Sequence, residues 1–426
     1  MILFVLNIKL FYVIINEIII SFRKNTLKGI LNCIRRMYTM IIEPKIRDFI
    51  CTTAHPIGCT ENVKEQIEYT KQQGTLKGPK KVLIIGCSSG YGLSSRIAAT
   101  YTYGADTLGV MFEKPSNGRR TATAGYYNTK AFENQAREDG FFAETINGDA
   151  FSREVKQETI EKIRKDFGKV DMVIYSLAAP RRKMDDGTTF SSALKTIGQP
   201  FSNKSLNLRN NEVVMASIPP ATEEEISSTV KVMGGEDWQD WVQALYDGDV
   251  MAENALTIAY SYIGPKLTYP VYYEGTIGTA KKHLYQTAVD LNHMFKEKGL
   301  TAYVSVNKAL VTQSSAAIPI VPLYMALLYK VMKEKGVHEG CIEQINRLFH
   351  EKLNGTPVLD KDGRIRLDDW ELESDIQEEI MKRWDKVTTE NVKELADIDG
   401  YWEDFYHIFG FGFKNVDYSE DVSLEM

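Results

Sequence analysis

A strand, a glycine-rich turn and a helix follow one another at residues 81–103, and this succession limits the chain's fold more than any other feature. KVLIIG (81–86) is a short apolar run closing on glycine; GCSSGYG (86–92) continues it into a helical stretch from Ser94 to Tyr103. An apolar run without alternation predicts a strand buried on both faces, as in parallel sheets covered by helices. The pattern recurs, with strands at 107–112, 142–146 and 170–178 and helices at 132–139 and 153–167. Such alternation predicts parallel βαβ units with right-handed crossovers, an α/β fold with a Rossmann-type doubly wound sheet.

The regularity lapses between residues 180 and 249. Pro200, Pro219 and Pro220 break this stretch, which carries WQDW (238–241) and reads as an insertion with its own hairpin or subdomain. Helical sequence resumes before Tyr260 and again from Thr279 to Lys298; LTAYVSVN (300–307) reads as another strand. Residues 323–426 read as a helical, increasingly acidic C-terminal region closing on IFGFGF (408–413). Residues 40–426 are accordingly read as one enlarged domain.

Charge is segregated along the chain. Residues 1–39 hold six Lys or Arg against Glu17 alone, while residues 351–426 hold 9 basic and 21 acidic side chains. The net charge of −6 becomes −11 from Met40 onward, so a nucleic-acid partner is not expected. The first 22 residues are apolar but interrupted by Asn7, Lys9, Asn16 and Glu17, short of the roughly 18 uninterrupted apolar residues a spanning helix needs. Their basic residues mostly follow the apolar run, which is the reverse of a secretory signal. Residues 1–39 are read as an extension outside the working protein, with Met40 as the start and targeting as the alternative. Five cysteines without a CxxC point to a reducing compartment and a cytoplasmic location.

The glycines of the turn suit a dinucleotide. Gly86 makes the tight turn, Gly90 admits a pyrophosphate to the backbone, and Gly92 lets helix and strand pack closely. Around them Cys87, Ser88, Ser89 and Tyr91 complete a loop whose helix N-terminus favours an anion. The spacing GxxxGxG is that of short-chain dehydrogenases. Phe112 and Glu113 close the second strand, where a carboxylate binds ribose hydroxyls and repels a 2′-phosphate; NADH is preferred over NADPH, with Arg119 and Arg120 nearby. Asp149 and Ala150 are placed to meet the adenine, although Asp149 reads equally as a helix cap. Leu177 and Ala178 end the fourth strand, beneath the nicotinamide ribose.

Reductases of this kind use a tyrosine at the developing oxyanion and a lysine on the ribose. Two Tyr-x3-Lys pairs, Tyr126/Lys130 and Tyr262/Lys266, read as coincidences: the first falls too early in the fold, and Gly264-Pro265 breaks the helix the second needs. In YPVYYEGTIGTAKKHL (269–284), Tyr272 and Lys281 stand nine apart, opposite on a continuous helix turning about 100° per residue. Pro270, Gly275 and Gly278 argue that the helix is irregular there, so the tyrosine could fold back over the lysine. Tyr273/Lys282 has the same spacing, which alone does not choose between them.

AHPIGC (54–59), GCSSGYG, FEKP (112–115), TAGYYN (123–128), GDAFS (148–152), SYIGP (261–265), YYEGTIGTAKKHL and VTQSSAAIP (311–319) together resemble the trans-2-enoyl-CoA reductases and the related V-type bacterial enoyl-ACP reductases, over about residues 40 to 420. The resemblance implies Tyr272 as proton donor, Lys281 as the NADH-binding lysine and Tyr262 as a second, substrate-contacting tyrosine. It also implies that Val311, Thr312 and Gln313 embrace the nicotinamide. The implied reaction is hydride transfer from NADH to C3 of a trans-2-enoyl-CoA, such as crotonyl-CoA to butyryl-CoA, in fatty-acid or butyrate metabolism.

An enoyl-ACP reductase of type II fatty-acid synthesis, with acyl carrier protein as partner, is the alternative; a non-catalytic NADH-sensing module is a further one. A monomer is expected. Cys51 and Cys59 bracket His55 without a zinc spacing, so no metal is expected. Cys87 reads as a small filler, although a thiol near a helix N-terminus can be reactive. The C-terminal region of the family is linked by name with FAD, but no second dinucleotide fingerprint follows residue 323, so FAD is not supported.

Overall fold

The computed structural model describes residues 39–47, 50–312, 315, 318 and 320–426. Among them, seven parallel strands form one sheet: β1 (Lys81–Ile85), β2 (Asp106–Met111), β3 (Ala143–Asn147), β4 (Val170–Tyr175), β5 (Met251–Ser261), β6 (Thr301–Val306) and β7 (Ile365–Arg366). The spatial order is β7-β6-β5-β4-β1-β2-β3, so the order reverses between β1 and β4. In open sheets of this kind, ligands bind beyond the strand ends at such a reversal.

The strands read as continuous apolar runs because both faces are covered. Leu83, Ile85, Leu108, Val110 and Val173 pack with Trp238, Trp241, Leu245 and Leu284 on one side. Val82, Ile84, Met172, Ile174 and Ile258 pack with Ala98, Ala99, Leu348 and Phe349 on the other. Each such side chain contributes about 1.5–3 kcal/mol on burial.

The helices that position the site are α1 (Pro56–Gln73), α2 (Gly90–Tyr103), α3 (Ala124–Glu138) and α4 (Arg153–Lys162), with α4 running into a π-helical turn at Ile163–Phe167. The stretch before Tyr260, expected to be helical, is instead β5. It pairs with β4 and β6, with a register shift between Met251 and Leu256 and a left-handed Asn254 at φ 57°. That irregularity breaks the alternation of the strand, and a short apolar run such as 255–259 does not distinguish strand from helix by itself.

Within 180–249, two hairpins (Arg181–Lys183 with Thr189–Ser191, and Phe201–Asn207 with Glu212–Ile218) precede α5 (Glu223–Met233) and α6 (Glu236–Asp247). A Thr222–Glu225 capping box starts α5. WQDW lies on α6 and belongs to the sheet's own core: the Trp238 indole donates to Thr257 Oγ1 (2.9 Å) and the Trp241 indole to the Ala150 carbonyl (3.0 Å). After α7 (Thr276–Met294), the C-terminal region builds α8 (Val321–Glu334), apolar nearly all round and buried, and α9 (Cys341–Arg347). There follow α10 (Ser374–Lys386), α11 (Val392–Leu395) and α12 (Ile398–Ile408), with α10 burying only the stripe Ile376, Ile380 and Trp384. Thr39–Met40 pairs antiparallel with Val422–Ser423, while residues 1–38 of the N-terminal extension lie outside the described residues. Among the described residues, no helix is long and apolar enough to cross a membrane.

Candidate active site

The glycine turn between β1 and α2 is built by close backbone contacts. Gly86 and Gly90 are left-handed, at φ 85° and 51°. A Cβ on Gly86 would stand 2.2 Å from the Ser176 carbonyl oxygen, and one on Gly92 1.8 Å from that of Gly86. Gly92 therefore seats the first turn of α2 on the end of β1. Gly90 faces open space bounded by the Thr312 methyl group, 3.9 Å from where its Cβ would be. The turn thus leaves a cradle between Gly90 and the loop after β6.

The other loop residues divide by direction. The Ser88 hydroxyl donates to Glu113 Oε1 at 2.7 Å, setting that carboxylate at the mouth of the cradle. Asn147, ending β3, clamps the Glu113 backbone through two 2.9 Å bonds. Phe112 beside it is 77% exposed, presenting a free aromatic face. Tyr91 points away: its hydroxyl lies 2.9 Å from Gln344 Oε1 and 3.0 Å from the Lys308 carbonyl. Cys87 is fully buried near Arg96, and burial pushes its thiol up to about 11, so it stays protonated and acts as filler.

Asp149 does not cap α4. That position is Ser152, whose hydroxyl accepts the Val155 N–H at 3.2 Å; Asp149 instead accepts from Phe151 N at 3.0 Å in a local turn. Ala150 is buried, with its carbonyl used by Trp241. Leu177 lies beside Gly86, and Ala178 is exposed at the strand end.

Tyr272 precedes α7, in a turn that opens with a 3-10 stretch at Lys266–Thr268. Its N–H donates to Thr268 O (2.9 Å), and its carbonyl accepts from Gly275 N (3.2 Å) and Gly278 N (2.9 Å). A Cβ on Gly278 would stand 1.9 Å from the Tyr273 carbonyl oxygen, so the turn folds this tightly over the helix only with glycine there. The inserted segment holds the helix start, with Thr276 N donating to Lys195 O at 3.0 Å.

Tyr272 is buried with its ring edge-on to Tyr262, centroids 4.9 Å apart and planes at 75°. Burial raises its phenol, which stays a neutral donor. Lys281 donates from Nζ to the Tyr260 carbonyl at 3.2 Å, and burial lowers its ammonium to about 8. The rival pair faces elsewhere: Lys282 is exposed, 5.2 Å above the Tyr273 ring, in a shallow surface groove with Tyr285, Gln286 and Arg364. Lys130 is paired with Glu133 at 2.9 Å, and Lys266 begins the 3-10 turn after Gly264-Pro265. Val311 is buried with its N–H on Tyr329 Oη (3.0 Å), and Thr312 N donates to Ser315 Oγ (2.9 Å); Gln313 lies outside the described residues.

A carboxylate that sequence reasoning did not single out stands behind the tyrosines. Glu371 is fully buried, and its Oε1 accepts from Tyr262 Oη (3.1 Å) and Tyr324 Oη (2.7 Å), its Oε2 from Ala309 N (2.7 Å). Arg347 anchors the preceding residues through Asp369 (2.8 Å) and the Leu367 carbonyl (2.7 Å). The only trace in the sequence is one acid within an acidic tail.

His55 serves α1 as its cap, Nδ1 accepting the Gly58 N–H at 3.2 Å. Among the described residues, no cluster of three or more His, Cys, Asp or Glu could hold a metal ion.

Comparison with known proteins places these residues in context. Three family models match in succession: the NAD(P)H binding domain of trans-2-enoyl-CoA reductase at residues 41–118, the trans-2-enoyl-CoA reductase catalytic region at 120–354, and the enoyl reductase FAD binding domain at 359–422. The chain is 52% identical over 393 residues to the enoyl-[acyl-carrier-protein] reductase [NADH] 1 of Vibrio cholerae, covering 91% of this chain and 98% of that protein. It is 53% identical over 386 residues to the trans-2-enoyl-CoA reductase [NADH] of Clostridium perfringens, covering 90% and 99%. The crystal structure of Clostridium acetobutulicum trans-2-enoyl-CoA reductase in complex with NADH superimposes with a TM-score of 0.88 at 46% identity, covering 90% of this chain and 98% of that one.

The cradle at Gly86, Gly90 and Glu113 fits a dinucleotide. Residues 359–422 build the two-residue strand β7 and helices α10–α12, and among the described residues there they show no strand–glycine–helix turn like that at 81–92. Ile376, Ile380, Trp384, Tyr401 and Phe405 fill that region as core.

Proposed function

The chain belongs to the trans-2-enoyl-CoA reductase family, and from that membership we propose that it reduces the C2–C3 double bond of trans-2-enoyl-CoA thioesters with NADH, crotonyl-CoA to butyryl-CoA being the representative reaction. The observation that carries the site assignment is the edge-on contact between buried Tyr272, in the turn that leads into the helix of Lys281, and partly buried Tyr262, just past the end of β5. NADH, when bound, supplies the hydride that adds to C3.

The residues of this chain supply binding and the proton. The turn at Gly86–Gly92 and the N-terminus of α2 receive the pyrophosphate; Glu113 accepts from the adenosine ribose hydroxyls and disfavours a 2′-phosphate, supporting NADH over NADPH. Phe112, Asp149 and Ala150 border the adenine, and Leu177, Ala178, Val311, Thr312 and Gln313 the nicotinamide end. Lys281 donates to the nicotinamide ribose. As charge develops on the thioester oxygen, the Tyr272 phenol gives it its proton, with Tyr262 beside it; the enol then ketonises, its proton going to C2, and water restores the phenol. Buried donors serve this step because they need no reorganisation from water.

Coenzyme A is taken as the carrier and acyl carrier protein is the alternative, since relatives named for either substrate match this chain about equally well, at 53% and 52% identity. Among the described residues Cys51, Cys59, Cys87 and Cys341 are free thiols, which suits a reducing compartment such as the cytoplasm.

Replacing Tyr272 tests the assignment. Tyr272→Phe should lower kcat by about 10²–10³ while NADH binding, followed by fluorescence, stays nearly unchanged. A wild-type rate would remove Tyr272 from the reaction.

A further inference from the structure

Building on the roles assigned above to Tyr262 and Tyr272, we propose that Glu371 is a positioning residue for the reduction, fixing the Tyr262 hydroxyl and bracing the ring against which Tyr272 is set. A phenol has one proton, and the Glu371 oxygen accepts it, so Glu371 dictates where the Tyr262 proton points. Its other two donors are already committed to it. Tyr324 accepts from Gln377 Nε2 (3.2 Å) while donating to Glu371 (2.7 Å), and Oε2 is held by the Ala309 N–H (2.7 Å). The Tyr262 bond, at 3.1 Å, is the longest of the carboxylate's three.

A fully buried carboxylate is costly unless every lone pair is answered. Here three donors answer three of its roughly four lone-pair sites, and the buried ammonium of Lys308 lies in the same polar cluster, donating to the Ala309 carbonyl at 3.1 Å. The arrangement ties three elements together: Tyr262 after β5, Ala309 on the loop that leads to Val311 and Thr312, and Tyr324 on α8. The ring of Tyr262 then meets Tyr272 edge-on at 4.9 Å, which carries the constraint to the proton donor. Without the carboxylate, the Tyr262 hydroxyl is free to rotate and Tyr272 loses its brace.

The test is a double-mutant cycle on the full chain, with NADH and crotonyl-CoA. Glu371→Ala should lower kcat about tenfold or more, with the KM for NADH within about twofold of wild type. Glu371→Gln, which keeps one acceptor oxygen, should lose less. In a Tyr262→Phe background, either change should cost no more than about a further twofold, because the partner it acts through is gone. Should Glu371→Ala fail to fold, Glu371→Gln carries the same comparison. The proposal is overturned if a folded Glu371 variant turns over at the wild-type rate, or if its loss is undiminished beside Tyr262→Phe. Full activity in Tyr262→Phe with an inactive Tyr272→Phe would sink this inference alone. Full activity in both would sink the underlying site assignment.

Discussion

Lys281, proposed above to hold the nicotinamide ribose, shows how burial alone can tune an ammonium group. Its ammonium loses water without a carboxylate as its recorded hydrogen-bond partner, so its pKa falls from the ordinary 10.5 to about 8. The sign follows directly. The group's contribution to stability is fully present above 10.5 and is lost as pH falls through about 8, so holding it charged at neutral pH is a cost to the fold. The ammonium form is the one that donates to a ribose, so NADH affinity should weaken as pH rises through about 8. Titrating NADH binding by fluorescence between neutral and alkaline pH checks this; Lys281→Met should abolish the dependence around that pH, and an unchanged slope in the variant would assign it elsewhere.

Residues differ in how far sequence exposes them. Gly275 and Gly278 mark an irregular helix start for Tyr272/Lys281 and Tyr273/Lys282 alike, and it is the family resemblance that singles out the first pair. Glu371 cannot be singled out, since nothing in an acidic tail distinguishes a carboxylate that turns inward.

At the scale of the element, the turn before α7 is the decisive local structure. Its shape depends on Gly278, where a Cβ would stand 1.9 Å from the Tyr273 carbonyl oxygen and 2.5 Å from that of Tyr272. Both neighbours are backbone and cannot swing aside. Helix propensity by itself would favour alanine there by about 1 kcal/mol. Gly278→Ala should nonetheless lower stability by about 1–3 kcal/mol and reduce kcat by a larger factor than it raises the KM for NADH. Thermal melting and steady-state kinetics check both; a raised Tm with full activity would show that the turn does not depend on that contact.

Elements were legible in sequence where their period was clean. β1 through β4 are read correctly from unbroken apolar runs bounded by glycine or polar turns. β5 is hidden because its register shift near Asn254 disrupts the pattern, and its identity comes from pairing with β4 and β6, contacts distant in sequence. The same holds for α6: its tryptophans look like part of an excursion and prove to be core.

Over the whole molecule, the sheet disregards the divisions drawn along the chain. β2, within residues 41–118, hydrogen-bonds β3, within 120–354, and β7, within 359–422, hydrogen-bonds β6. We infer from this continuity that residues 40–426 act as one body, in which the C-terminal region braces the site through Glu371 and α8. On α10 Ile376, Ile380 and Trp384 face the core, while Asp368 and Glu371 are acids of that region that are themselves fully buried. The central claim is the reduction itself, and following NADH absorbance with the purified chain tests it most directly. With crotonyl-CoA, the account predicts NADH oxidation that yields butyryl-CoA, slower with NADPH and slower with crotonyl-ACP. No oxidation of NADH with either thioester would contradict it.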